Sequence, residues 1–293
     1  MIEQSRRALF AVLLAAILFG TTGTAQQLGP SGTSPLGVGL VRIALGSLGL
    51  LAASRRLTGG PPSRGLKSAY LLAGLGVAGY QVGFFIGTER SGVALGTVVA
   101  LGSGPIFAGV FEAVRSRRLP HFGWILATAL AGAGVALVAY ARSGETSGVA
   151  FAGIAAALGA GVSYTVFSVA AKKVIAAGVP SLRVMANAFA LGTCVLSPLV
   201  LTESFRWLST GRGLLMALHL GIAATALAYA LFGYGLARLG VPVVVTLTLA
   251  EPATAAVLSV LILHQRLGPL GWTGVLLVLA GVVVIARGAT TTA

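Results

Sequence analysis

Inside its long apolar runs the chain carries few ionisable side chains, and Arg42 and Glu251 are the two that lie deepest. Arg42 falls eight residues into an apolar stretch, about 12 Å along a helix at 1.5 Å per residue, too deep for its guanidinium to reach water easily. A planar fork of donors at that depth suits a carboxylate, or the free carbonyls of a broken helix, and both readings stand. Glu251 precedes Pro252, which removes a helix hydrogen bond and frees a carbonyl one turn earlier. A carboxylate beside such a break suits an ammonium group; the alternative is a packing kink with Glu251 hydrogen-bonded or paired. Thr248 shares the face of Glu251, and Pro105 marks a related break near Ser103. A pocket holding both Arg42 and Glu251 favours zwitterions, whereas Glu251 alone favours cations.

Polar and aromatic groups recur at comparable depth. Tyr80, Gln81 and Phe84 form one cluster, Ser163 and Tyr164 with Phe167 a second, and Tyr229 with Tyr234 a third. Aromatic walls with a few hydroxyl and amide groups suit an amphipathic solute. Thr97, Ser163 and Thr248 are expected to face one central cavity. Asn187 falls within a residue of the repeat position matching Arg42, is its asymmetric counterpart in the second unit, and is a candidate for binding substrate. His219 and Glu251 are the candidate proton carriers, although the place of His219 near a span start also fits an interfacial anchor. The lone Cys194 allows no intramolecular disulfide or multi-cysteine metal site. No metal site and no cofactor are expected. The phosphate loop of ATPases, the zinc helix His-Glu-x-x-His and the nucleophile elbow Gly-x-Ser-x-Gly are missing from the sequence, so no catalytic role is assigned.

The elements that position these residues follow from composition. Hydrophobic residues make up 56% of the chain and charged ones 9%, with a mean hydropathy of +0.95. That leaves too little polar surface for a water-soluble globule, and the expected solvent is a lipid bilayer. Apolar runs occupy 8–28, 34–53, 66–88, 91–112, 121–141, 149–171, 182–202, 213–236, 241–263 and 269–286, each near the 20 or so residues that cross hydrocarbon. The first is read as a span rather than a cleaved leader. The 42 glycines fit close helix packing in a membrane.

The formal charge of +14 is spread singly or in pairs between apolar runs, which fits topology and not nucleic acid. With the N-terminus cytoplasmic, 14 basic residues fall inside and five, including Arg142, outside, so both termini are expected in the cytoplasm. A shift of 148 residues places Arg118-Leu119 on Arg266-Leu267, Gly123-Trp124 on Gly271-Trp272, Gly87 on Gly235, and Arg90, Gly92 and Val93 on Arg238, Gly240 and Val241. Two five-span units follow, 1–145 and 146–293, within one bundle. Because five is odd, the second enters from the opposite side. Such inverted repeats suit alternating access about a central site.

These residues resemble the EamA-type branch of the drug/metabolite transporter superfamily. The likeness rests on the order of Leu18-Phe19-Gly20, Arg42, Gly104-Pro105-Ile106-Phe107, Gly123-Trp124, Leu130-Ala131-Gly132, Glu251-Pro252, Gly271-Trp272 and Leu279-Ala280-Gly281. It implies an all-α protein of the bacterial inner membrane, a monomer or homodimer, which moves small-molecule substrates. Amino acids with aromatic or large apolar side chains are the leading cargo, outward. A nucleoside, polyamine or drug-like cation is the alternative, and a structural or lipid-handling membrane protein the reading from another class. Where many members carry a Glu before the Leu opening spans five and ten, this chain has Arg117 and Gln265. A role for that Glu is not carried over.

Overall fold

Backbone polar groups have no water to bond in hydrocarbon, so a chain this apolar satisfies them within helices. The computed structural model describes residues 2–57, 64–141 and 151–291, and among these every regular element is helical. Ten helices are long and apolar enough to cross a membrane. The first five are Ile2–Leu28, Pro35–Ser54, Lys67–Ser91, Val93–Ser116 and Phe122–Tyr140. The second five are Phe151–Ala176, Ser181–Thr202, Gly211–Arg238, Val241–Leu261 and Pro269–Thr291. Large apolar side chains remain exposed along them, Phe10 at 72% and Leu276 at 65%, as a lipid-facing surface requires. The expected boundary between residues 145 and 146, and Arg142, lie outside the described residues.

Local signals set the span ends. Ser34 accepts a hydrogen bond from the Gly37 amide at 3.2 Å, with Pro35 opening the second helix. Thr210 caps the eighth span by accepting from the Gly213 amide at 3.0 Å. Between the third and fourth spans the chain reverses at Gly92, whose φ of 82° is a conformation that L side chains rarely adopt.

Small residues then bring the helices together. Gly83 lies on the backbone of Ala156 and Ala160, so a Cβ there would meet main chain at 2.7 Å. Gly87 lies on Ala157, and Gly235, its counterpart in the repeat, lies on Ala8 and Val12. Third span on sixth and eighth span on first are therefore equivalent contacts, as two repeated units demand. The fifth and tenth spans pack antiparallel: Gly134 faces Gly274, while Gly281 faces Ala127 and Ala131. That direction of packing fits units inserted with opposite orientation.

Two spans depart from a regular helix. The ninth breaks at Thr248 and Leu249 and restarts at Ala250, the place from which Pro252 withholds its amide. The fourth, by contrast, runs through Pro105 without interruption, so the break expected near Ser103 is not formed. Beside this proline the Thr165 hydroxyl of the sixth span lies 3.1 Å from the Gly104 carbonyl, to which it donates. In the eighth span His219–Leu227 is a π-helix, and the Thr225 hydroxyl donates five residues back to Leu220 at 2.7 Å. Each wider turn rotates the helix beyond it, and Tyr229 stands at the start of that rotated segment.

The reciprocal seat of Gly134 and Gly274 gives a test of the packing. Gly134→Val drives a branched side chain into the Gly274 carbonyl and should destabilise the protein by about 1–3 kcal/mol. Thermal unfolding in detergent should show this as a lower Tm, whereas Gly132→Val, at a position with open space, should change it little.

Candidate functional site

A chain of connected hollows runs from one end of the bundle to mid-depth. The outermost is a vestibule of about 430 Å³ at the end opposite the termini, where Gly23 and Gln26 are exposed. Its walls come from spans one to five and nine, including Phe84, Phe85, Thr97 and Glu251. Glu251, Phe84 and Phe85 also bound a chamber of about 80 Å³, which adds Gly39, Arg42 and Tyr80. Behind Arg42 and Tyr80 lies a gap of about 10 Å³, room for roughly one water molecule, walled by Gln81, Tyr164, Phe167, Phe189 and Tyr229.

Arg42 and Glu251 face the same middle chamber, yet among the described residues no ion pair within 4.0 Å joins them. The Arg42 Nη2 donates to the Gln81 Oε1 at 2.8 Å. That leaves the Arg42 Nε and the Gln81 Nε2 buried without a hydrogen-bond partner. Glu251 stands in the first turn after the break in span nine, where helix dipoles favour a carboxylate. Its own amide donates to the Thr248 carbonyl at 3.0 Å, replacing the bond that the break removes. Span one reaches this place because Gly20 has no side chain; a Cβ there would lie 2.8 Å from the Glu251 carbonyl.

Aromatic rings form the remaining walls. Tyr229 lies 4.2 Å from Phe189 and 4.9 Å from Phe19 between ring centroids, while Tyr80 stacks on Phe84 at 5.7 Å and meets Tyr164 at 5.7 Å. Ring pairs in these tilted and offset geometries hold one another, so the wall is stiff as well as apolar. The whole offers an unpaired carboxylate, two unpaired donors and an apolar surround, which suits a small amphipathic solute.

Of the residues expected from sequence, Arg42, Tyr80, Gln81, Phe84, Thr97, Tyr164, Tyr229, Glu251 and Pro252 meet along these hollows. Thr248 stands behind them, accepting from the Tyr164 hydroxyl at 3.4 Å. Others serve packing. Ser103 bonds its own helix and abuts Gly161, and Ser163 lies against Gly79. Asn187 is bonded to Tyr70 and not to Arg42, whose partner is Gln81. The ring of His219 meets the Thr21 hydroxyl at 2.8 Å, a link between spans eight and one. Tyr234 is covered by the Arg238 guanidinium at 3.6 Å. The fifth span supplies Val135, Val138 and Ala139 to the vestibule.

Sequence reasoning passed over Lys172, counted only as a topology charge. Its ammonium turns into the bundle and donates to the carbonyls of Leu236, Ala237 and Leu239 at 2.7, 3.3 and 3.0 Å. A cation on the C-terminal carbonyls of a helix is favoured by the helix dipole, and here it ties span six to span eight at the end that carries the termini. Lys172→Met keeps the stem and removes these charge-assisted bonds, lowering the cost of opening that end by about 1.5–3 kcal/mol. Alkylation of Leu239→Cys in a Cys194→Ser background should accelerate about tenfold or more with Lys172→Met. An unchanged rate assigns closure to apolar packing alone.

Comparison with known proteins accords with this architecture. The EamA-like transporter family matches residues 6–140 and again residues 151–287. An uncharacterized transporter of Bacillus subtilis (strain 168), YwfM, is 37% identical over 277 residues, spanning 94% of this chain and 92% of its own. The threonine/homoserine exporter RhtA of Escherichia coli (strain K12) is 29% identical, over 96% of this chain and 90% of its own. A probable terminal-alkyne amino-acid exporter of Streptantibioticus cattleyicolor is 26% identical, over 96% and 94%. One solved crystal structure, 22% identical, shares the fold with a TM-score of 0.80 over 97% of this chain and 98% of that one. With both halves matched by one family and its ten membrane-spanning helices arranged as two repeats, the chain belongs to the EamA-like transporter family.

Proposed function

We propose that this protein is a secondary exporter of amino acids with apolar or aromatic side chains, working by alternating access in the bacterial cytoplasmic membrane. The observation that carries the reading is Glu251, a carboxylate at mid-membrane depth that opens onto a vestibule and has no ion-pair partner among the described residues. A carboxyl group kept there at the expense of desolvation suits a cationic group that comes and goes. An ammonium group fits Glu251, and the rings of Tyr80, Phe84 and Tyr229 fit an apolar side chain. Relatives that export amino acids favour that cargo over a polyamine or nucleoside.

The excess of basic residues at the end bearing the termini supports a cytoplasmic location for that end. The vestibule then faces outward and the Lys172 contacts close the cytoplasmic side. Release to the outside needs this state; loading needs the reverse one, reached by rocking the two five-span units.

Counterflow in proteoliposomes tests the reading. Labelled leucine or phenylalanine should accumulate against unlabelled internal substrate, and spermidine or uridine should not compete. Counterflow of spermidine or uridine alone would transfer the protein to that cargo. Glu251→Gln separates two roles for the carboxylate. As an ammonium ligand it loses about ten- to hundredfold in apparent affinity with an unaltered pH response. As a proton carrier it loses acceleration by an imposed pH gradient while downhill exchange persists. If affinity, maximal flux and pH response all stay the same, Glu251 is structural.

A further inference from the structure

The two buried donors at the inner wall have no part in the ammonium chemistry of Glu251. The Gln81 side chain is 4% exposed, and its Oε1 is already engaged by the Arg42 Nη2 at 2.8 Å. This fixes the amide orientation, because the reverse would set an NH₂ against a guanidinium. The Gln81 Nε2 is thereby turned away from Arg42 and left without a partner, as is the Arg42 Nε. A buried donor without a partner is costly, more so where the group is charged, and here two occur on one bonded pair of side chains. Both residues wall the innermost gap, and Arg42 also walls the chamber of Glu251. Gly39 keeps the place beside the amide free, since a Cβ there would come within 3.1 Å of the Gln81 Nε2 and run into the Phe85 ring.

We propose that the Arg42 Nε and the Gln81 Nε2 form a seat for the carboxylate of the substrate, so that the transported class is the free α-amino acid and not its amine, ester or amide. This deepens the proposed function and rests on it. Two donors, one of them charged, complement the two oxygens of a carboxylate, and the Gln81 Oε1 holds the guanidinium in place. Gln81 is therefore both a ligand and a positioning residue. The ammonium group goes to Glu251 across the same chamber, and the missing Arg42–Glu251 ion pair leaves the space in which a zwitterion replaces it. A solute with only the positive charge would leave the guanidinium unmatched and meet its repulsion.

The test is competition against counterflow of labelled phenylalanine in proteoliposomes, with phenylalanine, its methyl ester and its carboxamide as competitors. In the wild-type protein the ester and the carboxamide should compete at least tenfold more weakly than phenylalanine. Gln81→Glu keeps the shape and the acceptor for Arg42, so it folds, but it exchanges the free donor for an oxygen. It should weaken phenylalanine at least tenfold and leave the carboxamide as strong as before or stronger, so that the preference disappears. Gln81→Leu should lower the same ratio without adding a charge. Equal competition by all three compounds in the wild-type protein overturns the seat while the export of amino acids stands, as does a Gln81→Glu variant that weakens all three alike. Absence of counterflow with any amino acid overturns both the seat and the function on which it rests.

Discussion

Hydrocarbon cannot solvate a charge, and this constraint organises the bundle around Arg42 and Glu251. Each is costly at mid-membrane depth unless the protein supplies polar surroundings or water. Both are therefore turned inward, Arg42 onto Gln81 and Glu251 onto the vestibule, and helices from both units gather about them. The glycines make this gathering feasible. In a membrane, apolar side chains gain little by leaving lipid for each other, so close backbone approach has to come from small residues. Gly76 and Gly83 let the third span lie directly on the sixth, and this places Tyr80 and Gln81 at the depth of Tyr164.

How much of this was legible in the sequence depends on the range of the forces involved. Span lengths, the repeat and the family follow from composition and short motifs, because twenty apolar residues have few alternatives to a crossing helix. The depth of Arg42, Glu251, Tyr80 and Tyr229 was legible for the same reason. Which way each side chain turns was not. Asn187 matches Arg42 by repeat position, but a span has several faces, and Asn187 meets Tyr70 on another. Pro105 and Pro252 read alike, yet only the ninth span breaks; the fourth keeps its helix with Thr165 bonded to the Gly104 carbonyl. The π-helix of His219–Leu227 left no trace in hydropathy, since widening a turn changes angles and not composition. Lys172 was hidden by its own usefulness as a topology signal. Charge counts record that a lysine lies near a membrane edge, not that its ammonium turns back onto three carbonyls.

The repeat also explains why the two ends of the bundle differ. Shifted by 148 residues, Lys172 corresponds to Thr24, and Leu236, Ala237 and Leu239 correspond to Thr88, Glu89 and Ser91. In the second unit these positions are joined by a cation and three carbonyls. In the first unit the Thr88 hydroxyl bonds carbonyls of its own helix at Phe84 and Phe85, and Thr24 brings no charge. The vestibule opens in this place, between Thr22, Gly23 and Gln26 on one side and Phe84, Phe85 and Thr88 on the other. Two units related by inversion would, if identical in sequence, hold both ends closed or open at equal cost. A lysine on one side and a threonine on the other remove that equality. Because a charge-assisted contact outweighs a neutral one, this asymmetry favours the joined helices at the end bearing the termini over those at the opposite end, where the vestibule lies.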